Sequence, residues 1–200
     1  KNGGVLPLFT SCSPGWINYI EQYEPQFLPN LSSAKSPQQM AGVLAKHYYA
    51  EKIGYKKEDI VFVSVMPCIA KKHEAGRPEM ESDGVRDVDF VLTTRELGKM
   101  FRQMGIDFDH IQEVEFDNPF GITTGAAALF GATGGVTEAA LRTVYEVVNK
   151  KPLESLDFND VRGLKGIKEA EVDLGGTMVK VAVSHSLSNA RTLIEEVIAG

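Results

Sequence analysis

Two cysteines carry most of the chemistry open to this 200-residue chain. Cys12 lies in Thr10-Ser11-Cys12-Ser13-Pro14-Gly15-Trp16, and Cys68 in Met66-Pro67-Cys68-Ile69-Ala70-Lys71-Lys72-His73-Glu74. Each follows a short, mostly apolar run, Val5-Leu6-Pro7-Leu8-Phe9-Thr10 and Ile60-Val61-Phe62-Val63-Ser64-Val65-Met66. Each thiol is therefore expected at the carboxyl end of a strand, where loops of open α/β sheets build sites. Thiolates placed there can hold soft metals, above all iron–sulfur clusters. Lys71 and Lys72 put ammonium charge next to Cys68, which favours thiolate, and equally an anionic ligand. The competing reading makes each cysteine a small buried hydrophobe. Two thiols do not close a four-thiolate cage, so this chain alone is expected to hold no complete cluster.

The elements that must position these residues follow from pattern. The strand at 60–66 is continuous, β-branched and expected to be apolar on both faces. Trp16 to Tyr23 has helical spacing, with Pro14 at a first-turn position. Ser36 and Pro37 read as N-cap and N1 of a second helix, with Met40, Val43, Leu44, His47 and Tyr48 inward and Gly54 as its stop. Lys71 to Asp87 reads as a charged loop with one helical turn, followed by a strand at 88–92 and a helix capped by Thr94 through Met104. The acidic, irregular segment 105–121 marks a break between two lobes. Beyond it come the small-residue run Gly125 to Gly135, a helix from Val136 to Asn149, and a hairpin turning at Gly175-Gly176 between strands near 170–174 and 178–184. A last helix runs over 188–199. Strands alternating with helices indicate α/β with mostly parallel, twisted sheets flanked by helices.

Composition removes several classes. The chain is 43% hydrophobic and 24% charged, which is globular usage. A net charge of −6 and no basic stripe interleaved with aromatics argue against nucleic acid. No run of eighteen apolar residues is present, so no membrane span is expected. The two cysteines and the enzyme-like composition point to a reducing cytoplasm. Gly131-Ala132-Thr133-Gly134-Gly135 before a helix invites a phosphate. It lacks the Walker lysine and the dinucleotide fingerprint, so close packing explains it better. His47 and His73 read as surface or satisfied residues.

The cysteine motifs resemble two signatures of the iron-only ([FeFe]) hydrogenases, usually written TSCCPxW and MPCxxKKxE. Phe27 to Met40, Leu92-Thr93-Thr94-Arg95-Glu96-Leu97, Phe130 to Val136 and Val161 to Ala170 extend the likeness along essentially the whole chain. A third signature, with two further cysteines, would lie beyond Gly200. The resemblance thus implies a central fragment of the two-lobed catalytic domain over 1–200, with the lobe break near 105–121, inactive by itself.

The resemblance also implies roles. Cys12 matches the proton-relay thiol, and Ser13 stands where the family has a cubane ligand. Serine is a harder and poorer ligand than thiolate. Ser13 ligating weakly, Cys12 taking over by a local shift, or an altered position all remain open. Cys68 matches the second cubane ligand. Lys71 matches the lysine that contacts an anionic ligand of the two-iron unit, where a charge-assisted contact in a dry site is strong. Met66 and Pro67 match residues packed on that unit, and Gln38 lines the same cavity. Ser32 and Glu74 match members of proton routes, which require groups that both accept and donate.

The function implied is an oxidoreductase of anaerobic hydrogen metabolism. It would interconvert protons plus electrons with dihydrogen at an H-cluster, a two-iron subcluster bridged to a 4Fe–4S cubane. Its partner would be an electron-transfer protein or subunit, ferredoxin-like or NAD(P)-linked. Two rivals are a non-catalytic relative in iron–sulfur assembly or redox sensing, and a small-molecule-binding α/β module with inert cysteines.

Overall fold

The computed structural model describes residues 4–121, 125–153, 159–160 and 166–199. The part of the last family-like block at 161–165 lies outside them. The chain forms two compact units, Lys1–Phe120 and Gly121–Gly200.

In the first unit, helix α1 (Pro14–Tyr23) starts directly after the Cys12 loop, with Pro14 at its first turn, and buries Pro14 and Ile20. The strand expected over 5–10 does not form. Pro7 has no N–H to give a ladder, and Val5, Leu6 and Leu8 are exposed. What remains is one parallel bridge from Phe9 to Leu31. Phe9 N donates to Asn30 O at 2.8 Å and Ser32 N to Phe9 O at 2.8 Å. This bridge places the 31–36 segment beside the Cys12 loop.

Helix α2 (Pro37–Val43) begins as expected at Ser36-Pro37 and continues through a π-helical stretch, Leu44–Tyr49, to Lys52. Gly54, at φ +78°, ends it. Its inward face differs from the expected stripe. Met40, Leu44 and Tyr48 are exposed, while Gln38, Gln39, Gly42, Ala45, Lys46 and Ala50 face inward. The cause is close backbone approach: a Cβ at position 42 would sit 2.1 Å from Asp87 O. Lys46, buried beside it, donates to Arg86 O at 2.6 Å and Asp89 Oδ1 at 2.8 Å. Asp89 in turn accepts Phe62 N at 2.7 Å. Bulky apolar side chains do not fit that seam, and a small-residue face with one long, paired cation does.

Strand β1 (Val63–Met66) is shorter than the apolar run that predicts it. The segment expected to be a loop holds helix α3 (Ala70–Ala75) and a hairpin of β2 (Glu81–Ser82) and β3 (Val85–Arg86). The hairpin turns on Asp83 and Gly84, both at positive φ; Asp-Gly is a strong hairpin signal. Strand β4 (Phe90–Thr93) then pairs parallel to β1, from Val63↔Phe90 to Met66↔Thr93. One face of this pair packs with Ala75, Val88, Val91, Phe62 and Met66. On the other face Val63, Val65 and Phe90 are exposed, so the apolar character expected on both faces is covered on one among the described residues.

Helix α4 (Thr94–Gln103) is capped by Thr93, one residue ahead of the expected Thr94. Thr93 Oγ1 accepts Glu96 N at 3.1 Å, and Glu96 Oε2 accepts Thr93 N at 2.8 Å. This reciprocal box satisfies two otherwise orphaned N–H groups. Hydrogen bonds from the Lys72 ammonium, then from the Thr93 N–H and hydroxyl, pull the Glu96 carboxyl down to about 2.

The second unit holds α5 (Ala126–Phe130), α6 (Gly135–Asn149), β5 (Asn159–Asp160), β6 (Ile167–Asp173), β7 (Met178–Ser184) and α7 (Leu187–Ala199). Its three strands pair antiparallel in sequence order. The β6–β7 hairpin turns at Gly175-Gly176, both left-handed, where the sequence places it. A Cβ at position 135 would sit 1.6 Å from Leu129 O, so packing of α6 on α5 explains the small-residue run. The molecule is α/β: parallel pairing occurs in the sheet that leads to Cys68 and in the Phe9–Leu31 bridge, and the other described strand pairs are antiparallel.

Candidate functional site

The site grows from Lys71, in the first turn of α3. Its side chain is buried, although lysine is rarely so unless paired. Nζ donates to Glu74 at 3.0 and 3.1 Å and to the Cys12 carbonyl at 2.5 Å. The backbone N–H of Lys71 donates to Cys68 O at 3.2 Å. One residue therefore ties both cysteine loops together.

Glu74, one turn along α3, is buried as well. It also accepts Ser36 Oγ at 2.9 Å and Gln38 Nε2 at 3.4 Å. Gln38 spans to Lys71 O at 3.4 Å, and its Oε1 accepts Ser64 Oγ at 2.9 Å. The network joins the start of α2, strand β1, helix α3 and the Cys12 loop. An ammonium–carboxylate pair this deep carries a large desolvation cost, which close geometry and added hydrogen bonds offset.

Of the residues singled out from sequence, Lys71, Glu74 and Gln38 meet directly. Cys12 joins them through its carbonyl, and Cys68 through the base of α3. Met66 is half-buried and packs against the core beneath the Cys68 loop. Both thiols are free and exposed, as are Ser13 and Pro67. Exposure removes the reading of the cysteines as buried hydrophobes. Ser13 precedes α1 without capping it by its side chain. Its carbonyl accepts Trp16 N at 3.1 Å and Ile17 N at 3.3 Å. Ser32 and Glu74 line one cavity of about 240 Å³ with Ser11, Ser36, Arg77 and Glu79. At its rim Arg77 pairs with Glu21 and Glu79. The Arg77 hydrogen bond holds the Glu21 carboxyl below the usual range.

The charge beside Cys68 is more balanced than the sequence implies. Lys71 is paired with Glu74, and Lys72 reaches Glu96 at 2.5 Å. The Cys68 loop therefore meets two ion pairs rather than two free ammonium groups. His47 faces Asp83 at 3.7 Å.

Two functional neighbours were not singled out, Ser36 and Ser64. Ser64 is the one polar residue inside the apolar run 60–66, which is a readable signal. Ser36 looks like an ordinary N-cap, but its hydroxyl goes to Glu74 instead. A Ser36→Ala change is expected to cost about 1.5–3 kcal/mol, because a buried carboxylate loses a hydrogen bond. Ser36→Thr should recover most of that loss. Urea unfolding of both variants checks this; equal midpoints for Ser36→Ala and the parent sequence would rule it out.

Cys12 and Cys68 offer soft sulfur donors on loops linked by Lys71, which suits a cluster edge. Among the described residues no group of three or more His, Cys, Asp or Glu side chains is placed to hold a metal ion.

A parallel β-pair ending in an exposed thiol, with a second thiol loop tied to it by a buried ammonium, defines an α/β protein with two sulfur donors at one sheet end. Comparison with known proteins makes this specific. The chain belongs to the iron-only hydrogenase large-subunit family: the model of its C-terminal domain matches residues 1–200. The chain is 52% identical over 200 residues to the periplasmic [Fe] hydrogenase large subunit of Nitratidesulfovibrio vulgaris, covering 100% of this chain and 48% of that protein. It is 51% identical over 195 residues to the NADP-reducing hydrogenase subunit HndD of Solidesulfovibrio fructosivorans, covering 98% and 33%. Among solved structures, a cysteine-to-histidine variant of apo [FeFe]-hydrogenase HydA1 from Chlamydomonas reinhardtii superposes with a TM-score of 0.79 at 40% identity, covering 95% and 55%. The chain spans half or less of the length of these curated relatives. A more distant likeness, 32% over 207 residues and covering 96% and 44%, is to Protein NAR1 of Arabidopsis thaliana.

Proposed function

We propose that this chain is part of an iron-only hydrogenase that interconverts protons plus electrons with dihydrogen. The observation that carries the reading is the buried Lys71, which joins the Cys12 carbonyl to Glu74 and the Cys68 loop. An H-cluster, when bound, supplies the iron centre on which dihydrogen is made or split. The protein supplies ligands, an anchor and a proton path.

In this reading Cys68 would hold a cubane iron through its sulfur. Cys12 holds and passes a proton at Sγ. Lys71 would present its ammonium to an anionic ligand of the two-iron unit, in a site that Met66, Pro67 and Gln38 would help to close. Glu74 fixes the Lys71 side chain, and together with Ser32 it lines the cavity through which protons would move. Ser13 takes the position of the missing thiolate. The complete domain would exchange electrons with a carrier protein or a nicotinamide-linked subunit, as the name of the NADP-reducing relative suggests. A reducing, anaerobic cytoplasm is the compartment we assign. Its support is the two-cysteine content and the enzyme-like composition of the sequence.

The test is hydrogen uptake by the full-length protein with methyl viologen as acceptor. Dye reduction under dihydrogen, absent under argon, is expected. A full-length, iron-loaded protein with no uptake would favour the second reading, iron–sulfur assembly, which the distant likeness to Protein NAR1 supports.

A further inference from the structure

Most cations around the site are paired. Lys35, Lys46, Lys71, Lys72 and Arg77 each hold a carboxylate. Helix α4 is different. Arg95, Lys99 and Arg102 stand at i, i+4 and i+7, all exposed, and none makes an ion pair among the described residues. They surround Gly98, where a Cβ would meet nothing within 4 Å. With Thr94 they line a shallow groove of about 470 Å³.

This arrangement works against the helix itself. Like charges at i and i+4 are destabilising. A cation at Arg95, in the first turn, opposes the positive end of the helix dipole, whereas Arg102, in the last turn, suits the negative end. Three such charges on a chain of net −6 make a local field opposite to that of the whole. A surface of this kind gains from an acidic counterpart.

Its location says what the counterpart is for. Thr93, the cap of α4, pairs with Met66, two residues before Cys68. Lys72, four residues after Cys68, is bound to Glu96 on the same helix at 2.5 Å. A ten-residue helix is about 15 Å long, so the patch lies within that length of the helix start tied to the thiol loop.

We propose that the Arg95–Lys99–Arg102 face docks a small acidic redox protein that exchanges electrons on the Cys68 side. This rests on the hydrogenase reading above and names a surface for the partner. Two protons and two electrons make one dihydrogen, so a one-electron carrier must dock and leave twice per turnover. Fast, salt-sensitive, charge-steered encounter suits that demand.

The probe is a plant-type [2Fe–2S] ferredoxin of strongly negative charge, used with the full-length loaded protein. Methyl viologen, a small dication that requires no docking surface, is the control. R95E/K99E/R102E is expected to raise the KM for ferredoxin at least about 10-fold at low salt, with the methyl viologen rate unchanged. The Kd from calorimetric titration should rise in parallel. The neutral R95Q/K99Q/R102Q, which relieves repulsion within the helix, should show a smaller rise of about 3-fold or more. Added salt should weaken binding by the unsubstituted protein far more than by the triple glutamate variant. A Kd within twofold of the unsubstituted protein for both variants overturns the proposal. So does tighter binding of duplex DNA than of ferredoxin at equal salt. If the full-length protein turns over no dihydrogen with methyl viologen, the hydrogenase reading fails, and the titration still decides the docking surface.

Discussion

Lys71→Met in the full-length protein is expected to lower dye-linked hydrogen turnover by at least about 100-fold and to destabilise the fold by about 3–5 kcal/mol. The stability loss follows from burial. The side chains of Lys71 and Glu74 are 7% and 8% exposed, so removing the ammonium strands a carboxylate in the interior. The turnover loss follows from the same nitrogen: it is the charged donor that reaches the Cys12 carbonyl, and a preorganised charge in a dry site is worth several kcal/mol. The two effects separate in the double variant Lys71→Met/Glu74→Met. Part of the stability should return, because no unpaired charge remains and an apolar pair of similar volume fills the space, while Ser36 Oγ and Gln38 Nε2 still lack their Glu74 acceptor. Turnover should not return. Urea unfolding of the cluster-free protein and viologen assays of the loaded protein report the two quantities. Recovery of turnover in the double variant would show that Lys71 acts only through packing.

The second large effect distinguishes the two thiols. Cys68→Ala should reduce bound iron and abolish turnover, since it removes a soft donor that alanine cannot replace. Cys12→Ala should keep its iron and lose turnover by about 10²–10⁴-fold, the range for removing a positioned proton-transfer group. Iron and sulfide content with dihydrogen uptake, measured on both variants, check the division. Loss of iron in Cys12→Ala with full iron in Cys68→Ala would invert it, and would mean that Cys12 has taken the ligand role next to Ser13.

How much of this was legible in the sequence depends on what each signal measures. The strand before Cys68 was legible because β-branched side chains suit a pleated backbone, although burial on its second face is not found, and the Gly175-Gly176 hairpin because its backbone conformation is a glycine property. The stretch before Cys12 misled, because apolar residues around Pro7 look like a strand while proline withholds the N–H a ladder requires. Helix α2 misled for a different reason. Periodicity assigns apolar residues inward, but contact of Gly42 with the Asp87 backbone turned the small and polar face in. Met40, Leu44 and Tyr48 were left outside. At the site, Lys71, Glu74 and Gln38 were legible from a motif. Their partner Ser36 was not, since a serine ahead of Ser-Pro-type helix starts has an ordinary use as a cap. The neutralisation of Lys72 by Glu96 was also hidden, because it joins two elements 24 residues apart.

Lys71 ties the Cys12 loop to the Cys68 loop, through Nζ to the Cys12 carbonyl and through its backbone N–H to Cys68 O, so the two thiols are expected to share one site. Bridging by a short bifunctional thiol reagent such as dibromobimane, on cluster-free full-length protein, tests it most directly. Peptide mass mapping should find Cys12 and Cys68 joined by one reagent, and Lys71→Met should lower the yield of that bridge. Single adducts on each thiol, with no bridged peptide at any reagent ratio, would show that the two loops do not share one site.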